Sequence, residues 1–135
     1  MNFPKDLAVR LDGELTELTL NTNLTYNSKI PDNNVIPDLF VAIYSSSPKK
    51  ASRNFSNKCE VRYKAAMILV RSGNESGNYE AAEDLCDKIY TTLQSKLFGD
   101  YQDVVFKSDF SEGNKDEQNR YTWTASIEAW YNRNP

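Results

Sequence analysis

The period of the hydrophobic positions changes several times along the chain, and each change marks an element. Leu7, Leu11, Leu15 and Leu18 recur at helical spacing and predict an amphipathic first helix over about residues 4–18. Pro4 suits its first turn. Gly13 falls in mid-pattern, where glycine costs about 1 kcal/mol against alanine. Residues 21–34 are polar, with Pro31 towards their end, and read as a loop. The run Leu39-Phe40-Val41-Ala42-Ile43-Tyr44 after Pro37 predicts a short strand buried on both faces. Residues 45–57 then break the pattern with a run of serines, Pro48 and the cations Lys49, Lys50 and Arg53. This reads as a loop of about a dozen residues, and loops of that length without structure of their own are commonly functional.

A long strand is predicted over residues 59–70. Val61, Tyr63, Ala65, Met67 and Leu69 alternate with Glu60, Arg62 and Lys64, while residues 65–70 are apolar throughout. Such a strand starts as a half-exposed ribbon and ends buried on both faces. Residues 71–78 form a turn rich in Gly, Ser and Asn, and Asn78 can cap the following helix. Glu80, Glu83 and Asp84 fall in its first turns, where the helix dipole favours anions. Ala82, Leu85, Ile89, Leu93 and Leu97 give a stripe of period 3.6, and Gly99 is placed to end it. Residues 103–107 predict a third short strand and residues 108–119 a polar loop. The last strand spans 121–131. Tyr121, Trp123, Ala125, Ile127, Ala129 and Tyr131 take one side, and Thr122, Thr124, Ser126 and Glu128 the other. The order α–β–β–α–β–β implies an α+β fold: a mixed or antiparallel sheet of about four strands, with two main helices packed on one face. The length of 135 residues fits one domain over 1–135.

Composition narrows the chemistry. A formal charge of −3, with both signs spread along the chain, argues against binding nucleic acid by net attraction to phosphate. No segment approaches the 18 or so apolar residues of a membrane span. Lys5, Asp6, Arg10 and Asp12 interrupt the N-terminal region where a signal peptide would be apolar, so a cytoplasmic origin is expected. The chain has no histidine, which removes Ser-His and Cys-His nucleophiles and every His-ligated metal site. Its two cysteines, Cys59 and Cys86, make neither a disulfide framework nor a zinc site, and Cys86 reads as a buried reduced thiol.

Glu80, Glu83, Asp84 and Asp87 share one helix side, which reads as a solvated face partly balanced by an Asp84–Lys88 pair. The segment 109–120 fails as a calcium loop, with Asn114 where glycine is needed and Arg120 where a glutamate must chelate. Asp38 with Glu60-Val61-Arg62 faintly echoes a metal-dependent nuclease, but arginine stands where a lysine base is required. The basic group Lys49, Lys50, Arg53 and Lys58 could meet DNA phosphates or an acidic protein surface. Trp130 falls on the polar side of its strand, out of the apolar pattern, which makes it an interface candidate.

The stretch Asp116-Glu117-Gln118-Asn119-Arg120-Tyr121-Thr122-Trp123, running on to Tyr131 and Arg133, resembles the ending of the tail terminator proteins of long-tailed bacteriophages, also labelled tail completion or minor capsid proteins. In that family an acidic "D-E-x-x-R" segment leads into an alternating final strand. The strand at Phe40 to Tyr44, the strand at Val61 to Val70 and the helix opening Tyr79-Glu80-Ala81-Ala82 agree in order. The family often has Pro before the acidic segment, whereas Ser111-Glu112-Gly113 has none.

The resemblance implies a non-enzymatic virion component that forms a homohexameric ring on the last ring of tail tube. It would stop tube elongation and present a surface to the neck. Its implied partners are further copies of itself, the major tail protein and a head-closure protein, with passage of DNA through the ring lumen, no cofactor and no membrane. Assembly is expected in the host cytoplasm. On length, polarity and opposite charge, the contacts are expected from Lys49, Lys50 and Arg53 on one side and Glu112, Asp116, Glu117 and Arg120 on the other, together with Trp130. The rivals are another connector component such as a head-closure or adaptor ring, a metal-dependent hydrolase using the acidic clusters, and a cellular binding module.

Overall fold

A computed structural model describes residues 2–27, 39–46, 52–55, 59–73, 77–94, 96–98, 101–115 and 120–133. Within them the order is α1 (Phe3–Glu14), β1 (Leu24–Tyr26), β2 (Phe40–Ser45), β3 (Ser52–Phe55), β4 (Cys59–Arg71), α2 (Asn78–Leu93), β5 (Lys96–Phe98), β6 (Tyr101–Glu112) and β7 (Thr122–Arg133). The fold is α+β, with both helices packed into the same core as the sheet. The sheet has seven strands in the order β1-β2-β4-β7-β6-β5, with β3 also on β4. Four strands were expected, and the three additional ones are short pieces in segments whose sequence is not alternating.

The long strands define the frame. β4 and β6 both run antiparallel to β7, so they are parallel to each other, and α2 makes the crossover between them. β1 joins β2 in parallel, which makes the sheet mixed. Ser45 pairs with Ala66 and Ser52 with Arg62, so β2 and β3 lie along the same edge of β4. The expected loop over 45–57 is in part strand.

Local chemistry explains where the helices end. Asn2 caps α1, its Oδ1 accepting from Lys5 N–H at 3.1 Å. The helix stops at Glu14, short of the expected 18, with Leu15 extended. Side chains then hold the backbone out of helix. Leu20 N–H donates to Asp12 Oδ1 at 3.2 Å and Thr19 N–H to Asn23 Oδ1 at 2.7 Å. Leu18 is still buried, delivered by this turn. Asn21 and Asn27, at φ 69° and 52°, bracket β1, and asparagine tolerates that left-handed region.

Helix α2 begins after Gly77, whose φ of 91° suits only glycine, so Asn78 is its first residue and not its cap. It ends at Leu93 because Lys96 and Phe98 are drawn into pairing with Val104 and Tyr101. Leu97 thus belongs to β5 and not to the helical stripe.

The core lies between the sheet and the helices. Leu7, Ala8 and Leu11 of α1 and Ala82, Leu85, Ile89 and Leu93 of α2 meet Val41, Ile43, Ala66, Ile68, Val70, Val104, Trp123 and Ile127 of the sheet. Tyr101 closes one end, its hydroxyl donating to Asp6 Oδ2 at 2.6 Å and its ring 5.0 Å from Phe3. Cys86 is buried as expected, and desolvation pushes its thiol up to about 12.

Candidate assembly surface

Among the described residues no helix packs on the second face of the sheet, although on it Phe40 and Ala42 of β2, opposite Arg71 and Leu69, are buried, as the expected two-sided burial of that strand requires. In antiparallel pairing, opposed residues share a face. Ala65, Met67 and Leu69 oppose Glu128, Ser126 and Thr124, and Tyr44 opposes Met67. Met67 is 42% exposed, and Ala65, Leu69, Thr124, Ser126, Glu128 and Trp130 are half-buried. Burial on both faces over 65–70 is therefore corrected. Ala66, Ile68 and Val70 enter the core because they register with Ile127, Ala125 and Trp123, and their neighbours face outwards. This outer face is mixed: apolar on β4, hydroxyl-rich on β7. Sequence reasoning did not single out Met67 and Leu69. By alternation they fall on the apolar side of the strand with Val61 and Tyr63, and only the register with β7 turns that side outwards.

Strand β6 runs to Glu112, so residues 108–112 are strand and not loop. Their polar side chains are matched across the outer face: Ser108 Oγ lies 2.8 Å from Ser126 Oγ, and Ser111 opposes Thr124. Register shifts between Phe106, Ser108 and Ser111 return Phe110 towards the core, 5.8 Å from the Phe106 ring.

At the far end, aromatic rings gather where α2 begins. Tyr79 meets Tyr121 edge-on at 4.9 Å and Trp123 at 5.1 Å, and Lys115 Nζ stands 4.6 Å above the Tyr121 ring. The hydrogen bond to Glu112 holds the Tyr79 hydroxyl protonated and pushes it up to about 12. Tyr121 and Trp123 thus join the core as expected.

The predicted contact residues separate. Arg53 lies on edge strand β3, opposite Val61, while Glu112 lies on β6, opposite Trp123, which itself pairs with Val70. Val61 and Val70 are nine residues apart on β4, about 30 Å of strand. The Arg53 and Glu112 positions are thus on opposite sides and towards opposite ends of the sheet. Arg120 is half-buried at the entry to β7, and Trp130 is half-buried on the outer face, in register with Tyr63. Lys49, Lys50, Asp116 and Glu117 lie outside the described residues, as does Asp38. The acidic side of α2 is exposed, but Lys88 reaches Glu17 and not chiefly Asp84. Among the described residues no three of His, Cys, Asp and Glu converge as a metal site.

This fold is shared with chains of known structure. A chain from the virion of a native gene transfer agent particle superposes with TM-score 0.59 at 11% identity, over 94% of this chain and 84% of that one. A second solved chain superposes with TM-score 0.55 at 13% identity, over 98% and 91%. The chain belongs to the bacteriophage tail terminator protein family, whose model matches residues 5–133. It is a phage tail structural protein. None of the curated proteins matches it significantly.

Proposed function

We propose that the chain forms a ring, hexameric in the virion, that caps the tail tube, stops its elongation and joins the tail to the capsid neck, without enzymatic activity. The family match over residues 5–133 carries this proposal. The physical arrangement supports it. Arg53, in a stretch of sequence from 46 to 58 with four cations and no acid, and Glu112, four residues before Asp116 in the sequence, occupy opposite corners of the sheet. Opposite charges so far apart in one subunit meet in a head-to-tail contact, and such contacts close into a ring when the rotation per subunit is right. Lys49, Lys50, Arg53, Glu112, Asp116, Glu117 and Arg120 make these contacts between subunits or between rings, and Trp130 anchors a contact on the outer face. The major tail protein and a head-closure protein meet the two rims, and DNA passes through the lumen.

The test is electron microscopy and light scattering of the purified chain with tail tubes, beside virions in which the gene is removed. Capped tubes and rings are expected with the chain, and tubes of uncontrolled length without it. A chain that stays monomeric and never joins tube ends would overturn the proposal. Charge reversal at Arg53 and Glu112 separately should weaken assembly, and the double reversal should restore part of it.

A further inference from the structure

We propose that Gln94 and Asp109 guard the outer edge of β6 against strand addition by a second copy of the chain. On its inner side β6 is paired with β7 from Tyr101 to Glu112. Among the described residues, its outer side is covered only by β5, from Tyr101 to Val104. The remainder is an open sheet edge, and an open edge is a template for another strand. Two of its amides are occupied by side chains. Phe106 N–H donates to Gln94 Oε1 at 2.8 Å, and Phe110 N–H donates to Asp109 Oδ1 at 2.7 Å.

Gln94 is held in place to do this. It follows directly on α2, its own N–H donates to Tyr90 O at 2.8 Å, and the Tyr90 ring stacks on Phe106 at 4.9 Å. The register shifts in β6 add an irregular edge that a flat partner strand fits badly.

The strand held off is β3. It pairs only with β4 among the described residues, so it too is an open edge. β3 runs antiparallel to β4, and β4 is parallel to β6, so a copy in the same orientation, slid along the strands so that β3 passes from the level of Tyr101 to that of Phe106 and Phe110, offers β3 antiparallel to β6. Without the guards that pairing would extend the sheet from chain to chain without limit. The inference concerns the isolated chain and stands whether or not the ring proposal holds.

The experiment measures light scattering against concentration and amide hydrogen exchange by NMR for Gln94→Leu, Asp109→Ala and the pair. Gln94→Glu and Asp109→Asn serve as controls that keep an oxygen acceptor. In dilute Gln94→Leu the Phe106 amide should exchange about five- to tenfold faster, as for loss of one hydrogen bond. The double variant should gain mass with concentration and regain protection at Phe106 as it does so, while both controls behave as wild type. A folded double variant with wild-type mass at every concentration would overturn the inference. So would association that leaves Phe106 unprotected, or unchanged Phe106 exchange in Gln94→Leu. If the double variant does not fold, the Gln94→Leu exchange rate decides.

Discussion

The two faces of the central sheet are built from the same strands, β4 and β7, and differ in every physical respect. On the helix face Ala66, Ile68 and Val70 meet Ile127, Ala125 and Trp123, all buried. One residue along, Ala65, Met67 and Leu69 meet Glu128, Ser126 and Thr124, all at least partly exposed. The first face is apolar on both strands and its geometry is fixed by helix packing. The second is apolar on one strand and polar on the other, as befits a surface that stays in water until something covers it. Strand alternation alone states that two faces exist. The register between strands decides which one folds the chain and which one is left for contacts.

The sharpest test of that division is a matched pair of substitutions. Ile127→Ala removes buried atoms at the centre of the helix face and should cost about 2–5 kcal/mol in urea unfolding. Met67→Ser, one strand away on the outer face, should change stability by no more than about 0.5 kcal/mol. Its effect should appear in assembly with tail tubes. Equal destabilisation by both would mean that the outer face is a second core.

Much of this was legible in the sequence. The 3.6 stripe of α2 and the alternation of β7 placed Leu85, Ile89, Trp123 and Ile127 correctly because each obeys one period over several turns or pleats. Strands β1, β3 and β5 were not legible. They have three, four and three residues at the margin of the sheet, too few for a period, and backbone pairing holds them. The end of α2 was missed for the same reason, since Leu97 continues a stripe that pairing with β6 interrupts. Of the contact residues, the sequence supplied charge and Trp130. It could not show that Arg53 and Glu112 lie towards opposite corners, because that follows from long-range register.

The helix side of the sheet also predicts chemical inertness. Cys86 packs there at 4% exposure with its thiol pushed up to about 12, chiefly by desolvation. In a Cys59→Ser background a thiol reagent at about pH 8 should leave Cys86 unmodified until denaturant is added. Rapid labelling of the native protein would show that α2 opens readily. At the rim, Tyr79 should ionise late. Glu112→Gln should bring its pKa down from about 12 towards the ordinary tyrosine value, read by phenolate absorbance. A raised pKa means that this contact stabilises the fold below the unfolded tyrosine value and is lost as pH rises towards the folded one.

The smallest effect joins a legible element to an illegible one. Lys88 of α2 hydrogen-bonds Glu17, in the turn between α1 and β1 that no period predicted. That bond lowers the Glu17 carboxyl below its usual range and raises the Lys88 ammonium above its own. The Glu17 contribution is therefore present above the unfolded carboxylate pKa and lost as pH falls through the folded one. The Lys88 contribution is present below the unfolded ammonium pKa and lost as pH rises through the folded one. Glu17→Gln should lower the melting temperature slightly and by a constant amount between about pH 6 and 9, and the difference should vanish in acid. Both partners are partly exposed, so added salt should shrink the difference as well. A difference that persisted in acid would assign the stabilisation to the turn's own hydrogen bonds, such as Asn23 Nδ2 donating to the Glu17 carbonyl at 2.8 Å, and not to the ion pair.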